Sequence, residues 1–225
     1  MKTAYLIIAL TSIGLIQLSA CGETFDETPT VSNEIQLLSE VESESLNSLA
    51  RYIDQMPSDE LSEKEIEGLQ FMREEEKLAR DVYLVLYEQW SLLPFKNISK
   101  SEQVHMDAVL SLLNKYNLDD PAEGNDTGIF TNDELQKLYN QLIEQGFKSV
   151  VDALKVGALI EEVDIIDLQR LIDKEVDNED IEFVLSNLKR ASGFHLRAFV
   201  GHLKRYKIEY SPELLEEDIY KDIIN

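Results

Sequence analysis

The sequence predicts an all-α protein: four long helices paired as two antiparallel hairpins, joined by a long crossover that carries a short helix, with further helices at both ends. Three observations carry this expectation. Proline and glycine are scarce after residue 60, apolar residues recur at spacings of three and four, and about thirty residues separate the two helix pairs. No alternating strand pattern is sustained.

The elements follow in order. A short first helix is expected over about 43–55. Ser62 and Glu65 have the spacing of a capping box and open a long helix reaching about Trp90. "SLLPF" turns the chain, Pro94 suits a first helical position, and the second helix runs to about Tyr116. After the loop "NLDDPAEGNDTGIF", Thr131 with Glu134 is expected to cap a shorter helix that ends at Gln145, stopped by Gly146. The third and fourth long helices span about 149–175 and 179–206, and "SPELLEEDIYKDIIN" reads as a helical tail. Two tight turns and one long connection fit two hairpins related by a crossover; the alternative is an up-down-up-down bundle with a helical insertion.

The chain begins "MKTAYLIIALTSIGLIQLSAC", one Lys and an apolar run of signal size, too short and interrupted for a comfortable membrane span. Its end, Leu18-Ser19-Ala20-Cys21, resembles the lipobox of bacterial lipoproteins. That resemblance implies a signal over 1–20 and lipidation at Cys21; composition and helical periodicity then divide the rest into an acidic tether over 21–45, a bundle over 46–215 and a tail over 216–225. The resemblance also places the protein in the cell envelope, on the outer membrane of a diderm host, because Gly22 stands where the usual inner-membrane retention signal has Asp. Cys21 is the only cysteine, which rules out an intrachain disulfide and any Cys-based metal site. With 44 acidic against 21 basic side chains, the net charge of −23 excludes nucleic acid as a partner. No protein partner is indicated.

The inward stripes hold the chemistry. The first reads Leu69, Met72, Glu76, Ala79, Tyr83, Leu86, Trp90, and the second Phe95, Ile98, Glu102, His105, Val109, Leu112, Tyr116. The third reads Val151, Leu154, Ala158, Glu161, Ile165, Leu168, Ile172, and the fourth Ile181, Leu185, Leu188, Ser192, His195, Phe199, His202, Tyr206. Each is apolar except near its middle. A lone buried carboxylate costs several kcal/mol in desolvation, and converging ones repel unless they are protonated, paired or bound to metal. Almost no Lys or Arg lies in the stripes to pair them. Glu74, Glu75 and Glu162 fall off the seam and are second choices; His202 lies outside the site, and Tyr83 packs in the core with its hydroxyl on a carboxylate.

"EKLARDVYLVL", a Glu followed seven residues later by Tyr, looks like the first metal helix of ferritins. "MREEEKLARDVY", "NISKSEQVHMDAV", "ALIEEVDIIDL" and "HLRAF" resemble one uncharacterised bacterial and archaeal ferritin-like domain family over about 60–210. The resemblance implies a ferritin-like bundle in which Glu76, Glu102, His105, Glu161 and His195 bind metal. The implied cofactor is one or two transition metal ions, iron alone or as a di-iron pair, with manganese or zinc as alternatives, and the implied activity is ferroxidase-type: oxidation of Fe(II) or reduction of oxygen or peroxide. Ser192 departs from the pattern, which wants a second Glu there; Asp164, one turn beyond Glu161, is the candidate to compensate. The competing reading is a non-enzymatic, surface-displayed binding or structural module that keeps the fold without the metal.

Overall fold

The computed structural model describes residues 52–53, 55–56 and 59–225. The signal, Cys21, the tether and most of the expected first helix lie outside the described residues. Within them the chain forms α1 (Glu63–Trp90), α2 (Leu93–Lys115), α3 (Asp133–Gly146), α4 (Val150–Lys174), α5 (Glu179–Arg205) and α6 (Glu217–Ile224), and no strand.

Local chemistry sets most of these boundaries. Ser62 accepts from the Glu65 amide at 3.2 Å while Glu65 accepts from the Ser62 amide at 2.9 Å, a complete capping box. Ser149 caps α4 by accepting from the Asp152 amide. One cap differs from expectation. Asn132, not Thr131, caps α3, because its side-chain oxygen reaches the amides of Glu134 and Leu135. Gly146 does not stop that helix in a left-handed turn; it is the last helical residue, with Phe147 as the cap. Gly146 is small because Leu86 presses on it, where an added Cβ would meet a methyl at 2.7 Å.

The packing order identifies the topology. α1 lies against α2 and α4, and α5 lies against α4 and α2, so α2 and α4 are diagonal partners. A plain up-down-up-down bundle would make them neighbours. The connection between them instead runs the length of α1. Arg73 grips Asp120 at 3.0 Å, Lys77 donates to the Asp126 carbonyl at 2.8 Å, and the Trp90 indole donates to the Gly146 carbonyl at 2.9 Å.

The inward stripes are buried as the periodicity requires, with only Val151, Ile172, Trp90, Tyr116 and Tyr206 at the ends opening toward solvent. At one end of the core, Tyr83, Phe95 and Phe199 cluster with centroids 5.2 to 6.1 Å apart. Gly157 lets Phe199 approach this closely, since a Cβ there would lie 2.5 Å from its ring.

Several acidic residues act as internal clamps on non-helical backbone. Glu65 also accepts from the Asn178 amide and side chain. Glu74 accepts from the amides of Thr131 and Asn132. Glu162 accepts from the Tyr210 hydroxyl and the amides of Glu213, Leu214 and Leu215. The expected helical tail is helical only from Glu217, because the residues before it wrap around Glu162. No described helix is long and apolar enough to cross a membrane.

Candidate metal centre

Halfway along the bundle, all four long helices turn polar side chains inward. Glu76 comes from α1, Glu102 and His105 from α2, Glu161 from α4 and His195 from α5; His195 is 4% exposed and the other four are fully buried. The three-residue spacing in "EQVH" puts Glu102 and His105 one turn apart on one face. The two hairpins bring in the rest.

The five form two trios that share Glu102. Glu76, Glu102 and His105 offer ligand atoms that all lie within 4.8 Å of one another, and so do Glu102, Glu161 and His195. In the first trio the His105 Nδ1 lies 3.1 Å from Glu76 Oε2 and 2.6 Å from Glu102 Oε2. In the second the His195 Nδ1 lies 3.0 Å from Glu102 Oε1 and 3.4 Å from Glu161 Oε2. Both imidazoles thus aim Nδ1 at carboxylates, one at each oxygen of Glu102. His195 Nε2 is 3.1 Å from Ser101 Oγ. The Tyr83 hydroxyl donates to Glu161 Oε1, as the sequence suggested.

Ser192 stands one turn before His195, buried and unable to act as a carboxylate. Its hydroxyl reaches Asp164 Oδ2 at 2.9 Å and the Leu188 carbonyl at 3.1 Å. Asp164 is itself 1% exposed. Glu75 is buried beside this group, facing Asp167 and Asp164, and belongs to neither trio. Glu74 and Glu162 are clamps and face away from the site. His202 is also buried but belongs to neither trio.

The electrostatics follow from this crowding. Burial pushes Glu76 up to about 7; His105 opposes this and Glu102 adds to it. Burial likewise raises Glu161 to about 7, opposed by His195 and reinforced by Glu102. Burial alone would raise Glu102, but His105 and His195 outweigh it and hold that carboxyl below its ordinary range. Burial alone would lower His105, yet Glu102 and Glu76 hold its proton well above the usual range. Asp164 is pushed well up by burial, then by Glu76, Glu161 and Glu102. Glu75 is pushed up by burial and by Asp167 and Asp164.

The donor set could hold a metal ion. Glu76 Oε1 and Asp164 Oδ1 are buried with no hydrogen-bond partner, and neither oxygen of Glu102 has hydrogen-bond geometry despite its close imidazoles. The His105 Nε2 is also without a partner. Buried carboxylates that serve only structure find amides, as Glu65, Glu74 and Glu162 do. These instead converge on one another, at a cost of several kcal/mol per charge unless a cation compensates. Carboxylate and imidazole donors together suit iron, manganese or zinc.

Sequence reasoning located the five residues from their positions in the stripes. It named Asp164 only to compensate for Ser192 and Glu75 only as a second choice, and missed that both are enclosed with the cluster. Asp164 and Glu75 sit off the strict three-four series, and only the breadth of the buried face shows that they are enclosed. It also missed Lys77 and Asp81, a fully buried pair that lies away from the site and holds the Gly128 amide.

Fold and site together define an all-helical bundle with a buried carboxylate–histidine centre. Residues 65–225 match the family described as an uncharacterized protein domain (DUF2202), and the chain belongs to that family. It is 52% identical over 177 residues to the uncharacterized protein MJ0754 of Methanocaldococcus jannaschii, covering 79% of this chain and 95% of that one. The crystal structure of the hypothetical protein MJ0754 from Methanococcus jannaschii is similar with a TM-score of 0.73 and 54% identity, over 75% of this chain and 96% of the other.

Proposed function

We propose that this protein is a ferritin-like metal protein that holds two transition metal ions, iron by preference, in the trios sharing Glu102, and oxidises Fe(II) with oxygen or peroxide. The observation that carries it is the convergence of three carboxylates and two imidazoles from four helices, in which Glu76 Oε1, both oxygens of Glu102, Glu161 Oε2 and His105 Nε2 are buried without a hydrogen bond. Bound iron supplies one-electron chemistry toward oxygen or peroxide.

The chain's own residues prepare that chemistry. Glu102 offers one oxygen to each trio and so sets the spacing of the two positions. Glu76 and Glu161, with affinities for protons near neutrality, exchange a proton for a cation at little cost. Tyr83 fixes Glu161 by holding its other oxygen, and Ser101 orients the His195 ring from behind, as outer partners of metal ligands do. Leu154, Ala158, Phe199 and Leu188 close the seam above and below against bulk water.

The test is metal analysis of protein purified without chelator, beside Glu102→Ala and His105→Ala. Wild type is expected to carry iron or manganese that both variants lack. Equal, near-zero metal in all three sinks the reading and leaves a binding or structural module. A near-ultraviolet ferric band that forms faster with protein than in buffer, after aerobic Fe(II) addition, tests the oxidase part.

The proposal includes an envelope location through a lipid on Cys21. Its support is the sequence Leu18-Ser19-Ala20-Cys21 behind a signal-sized apolar run. Mass spectrometry of the native N-terminus, with Cys21→Ser as control, checks it. Soluble, unlipidated protein in both would remove the anchor.

A further inference from the structure

Position 192 is where a second Glu-x-x-His pair would start, and the residue there is Ser. Its hydroxyl crosses from α5 to α4 and meets Asp164 Oδ2 at 2.9 Å. Asp164 lies one turn beyond Glu161 on α4, so both project from the same face of that helix. It is 1% exposed. Its other oxygen, Oδ1, is buried with no hydrogen-bond partner.

Asp164 differs from the clamps elsewhere in the fold. Glu65, Glu74 and Glu162 each take two or more donors from loop backbone. Asp164 takes none; a serine hydroxyl is its one hydrogen-bonding neighbour. The acids that press on it are Glu76 from the first trio, Glu161 from the second, and Glu102 from both. A buried carboxyl with one free oxygen, set against members of both trios, has no structural task that an Asn or a Leu would not perform at lower cost.

We propose that Asp164, held in place by Ser192, supplies the carboxylate that the four-helix pattern puts at position 192. The acid has moved across the α4–α5 contact, and the serine that replaced it positions the new one. Asp164 belongs to neither trio of ligand atoms; it is then the fourth carboxylate of the centre, available beside them when ions bind. This rests on the metal reading above.

Manganese(II) titrated into the full chain after chelator stripping, followed by electron paramagnetic resonance of the free ion, reads number and affinity together. Asp164→Asn keeps the volume and an oxygen for Ser192 but removes the charge. It is expected to lose the weaker of two bound ions, or to bind it at least about tenfold less tightly. Ser192→Ala, which removes only the hydroxyl, is expected to weaken the same ion by roughly tenfold, the scale for a residue that orients a ligand. Wild-type number and affinity in Asp164→Asn would overturn the assignment while leaving the metal reading intact. No manganese in the wild type would remove both. Thermal melting checks that Asp164→Asn folds; if it does not, Ser192→Ala decides on the same criteria.

Discussion

The rings of His105 and His195 stack 5.5 Å apart and 23° from parallel, and Glu102 offers one oxygen to each. The two histidines belong to different hairpins, so a single carboxylate ties the hairpins together at the centre of the bundle. Glu102→Gln is therefore expected to abolish both metal positions, whereas Glu161→Gln abolishes only the second. Optical titration with cobalt(II) counts them. One surviving position in Glu102→Gln would show that the trios bind independently.

The metal-free protein is expected to be most stable at mildly acid pH. Glu76 and Glu161 titrate from 4.5 in the unfolded chain and at about 7 in the fold. Between those values the unfolded chain releases protons that the fold keeps, so the part of the stability that these two carboxyls carry falls from about pH 4.5 to about pH 7. His105 acts in the same direction: its contribution is full below 6.5 and fades as pH climbs through its higher folded value. Each shifted carboxyl is worth on the order of 3 kcal/mol at most. Melting of chelator-treated protein between pH 5 and 8 should show a decline that is shallower in Glu76→Gln. A flat wild-type profile would contradict the crowding.

Glu162→Gln should loosen the C-terminal segment without touching the metal count. The amide's NH2 would face donors where a carboxylate now accepts from Glu213, Leu214 and Leu215. The loss is about 2–3 kcal/mol, the scale for hydrogen bonds to a charged group. Hydrogen exchange should accelerate over 210–224, with manganese stoichiometry unchanged. A lost metal ion would instead make Glu162 part of the centre.

Gly157→Ala forces a methyl against the Phe199 ring, where a Cβ would sit 2.5 Å away. Overpacking of this kind costs about 1–3 kcal/mol. Urea denaturation should give a lower midpoint with an unchanged slope. A neutral result would mean that Phe199 can swing aside despite its contacts with Tyr83 and Phe95.

The helices and the five central residues were legible because burial in a bundle follows a fixed period, and a Glu or His inside an apolar stripe violates it visibly. Pro94 and the Ser62–Glu65 box were readable for the same reason: their chemistry is local. The Asn132 cap was not, since Thr131 and Asn132 both suit a cap and only the fold decides which side chain reaches the free amides. Asp164 and Glu75 were harder still. A bundle helix buries a broader face than its seam, and the sequence does not mark which off-seam acids are enclosed. The clamping roles of Glu65, Glu74 and Glu162 were not legible, because their partners are backbone amides of segments far along the chain.

The crossover that separates the two hairpins also imposes a hierarchy on the centre's birth. His105 and Glu76 are 29 residues apart and lie within one hairpin, whereas His195 meets Ser101 across 94 residues. All three residues of the first trio thus lie before the crossover. The second exists only after α4 and α5 have docked and borrowed Glu102. During synthesis every residue of the first trio therefore emerges before Glu161 and His195, which complete the second.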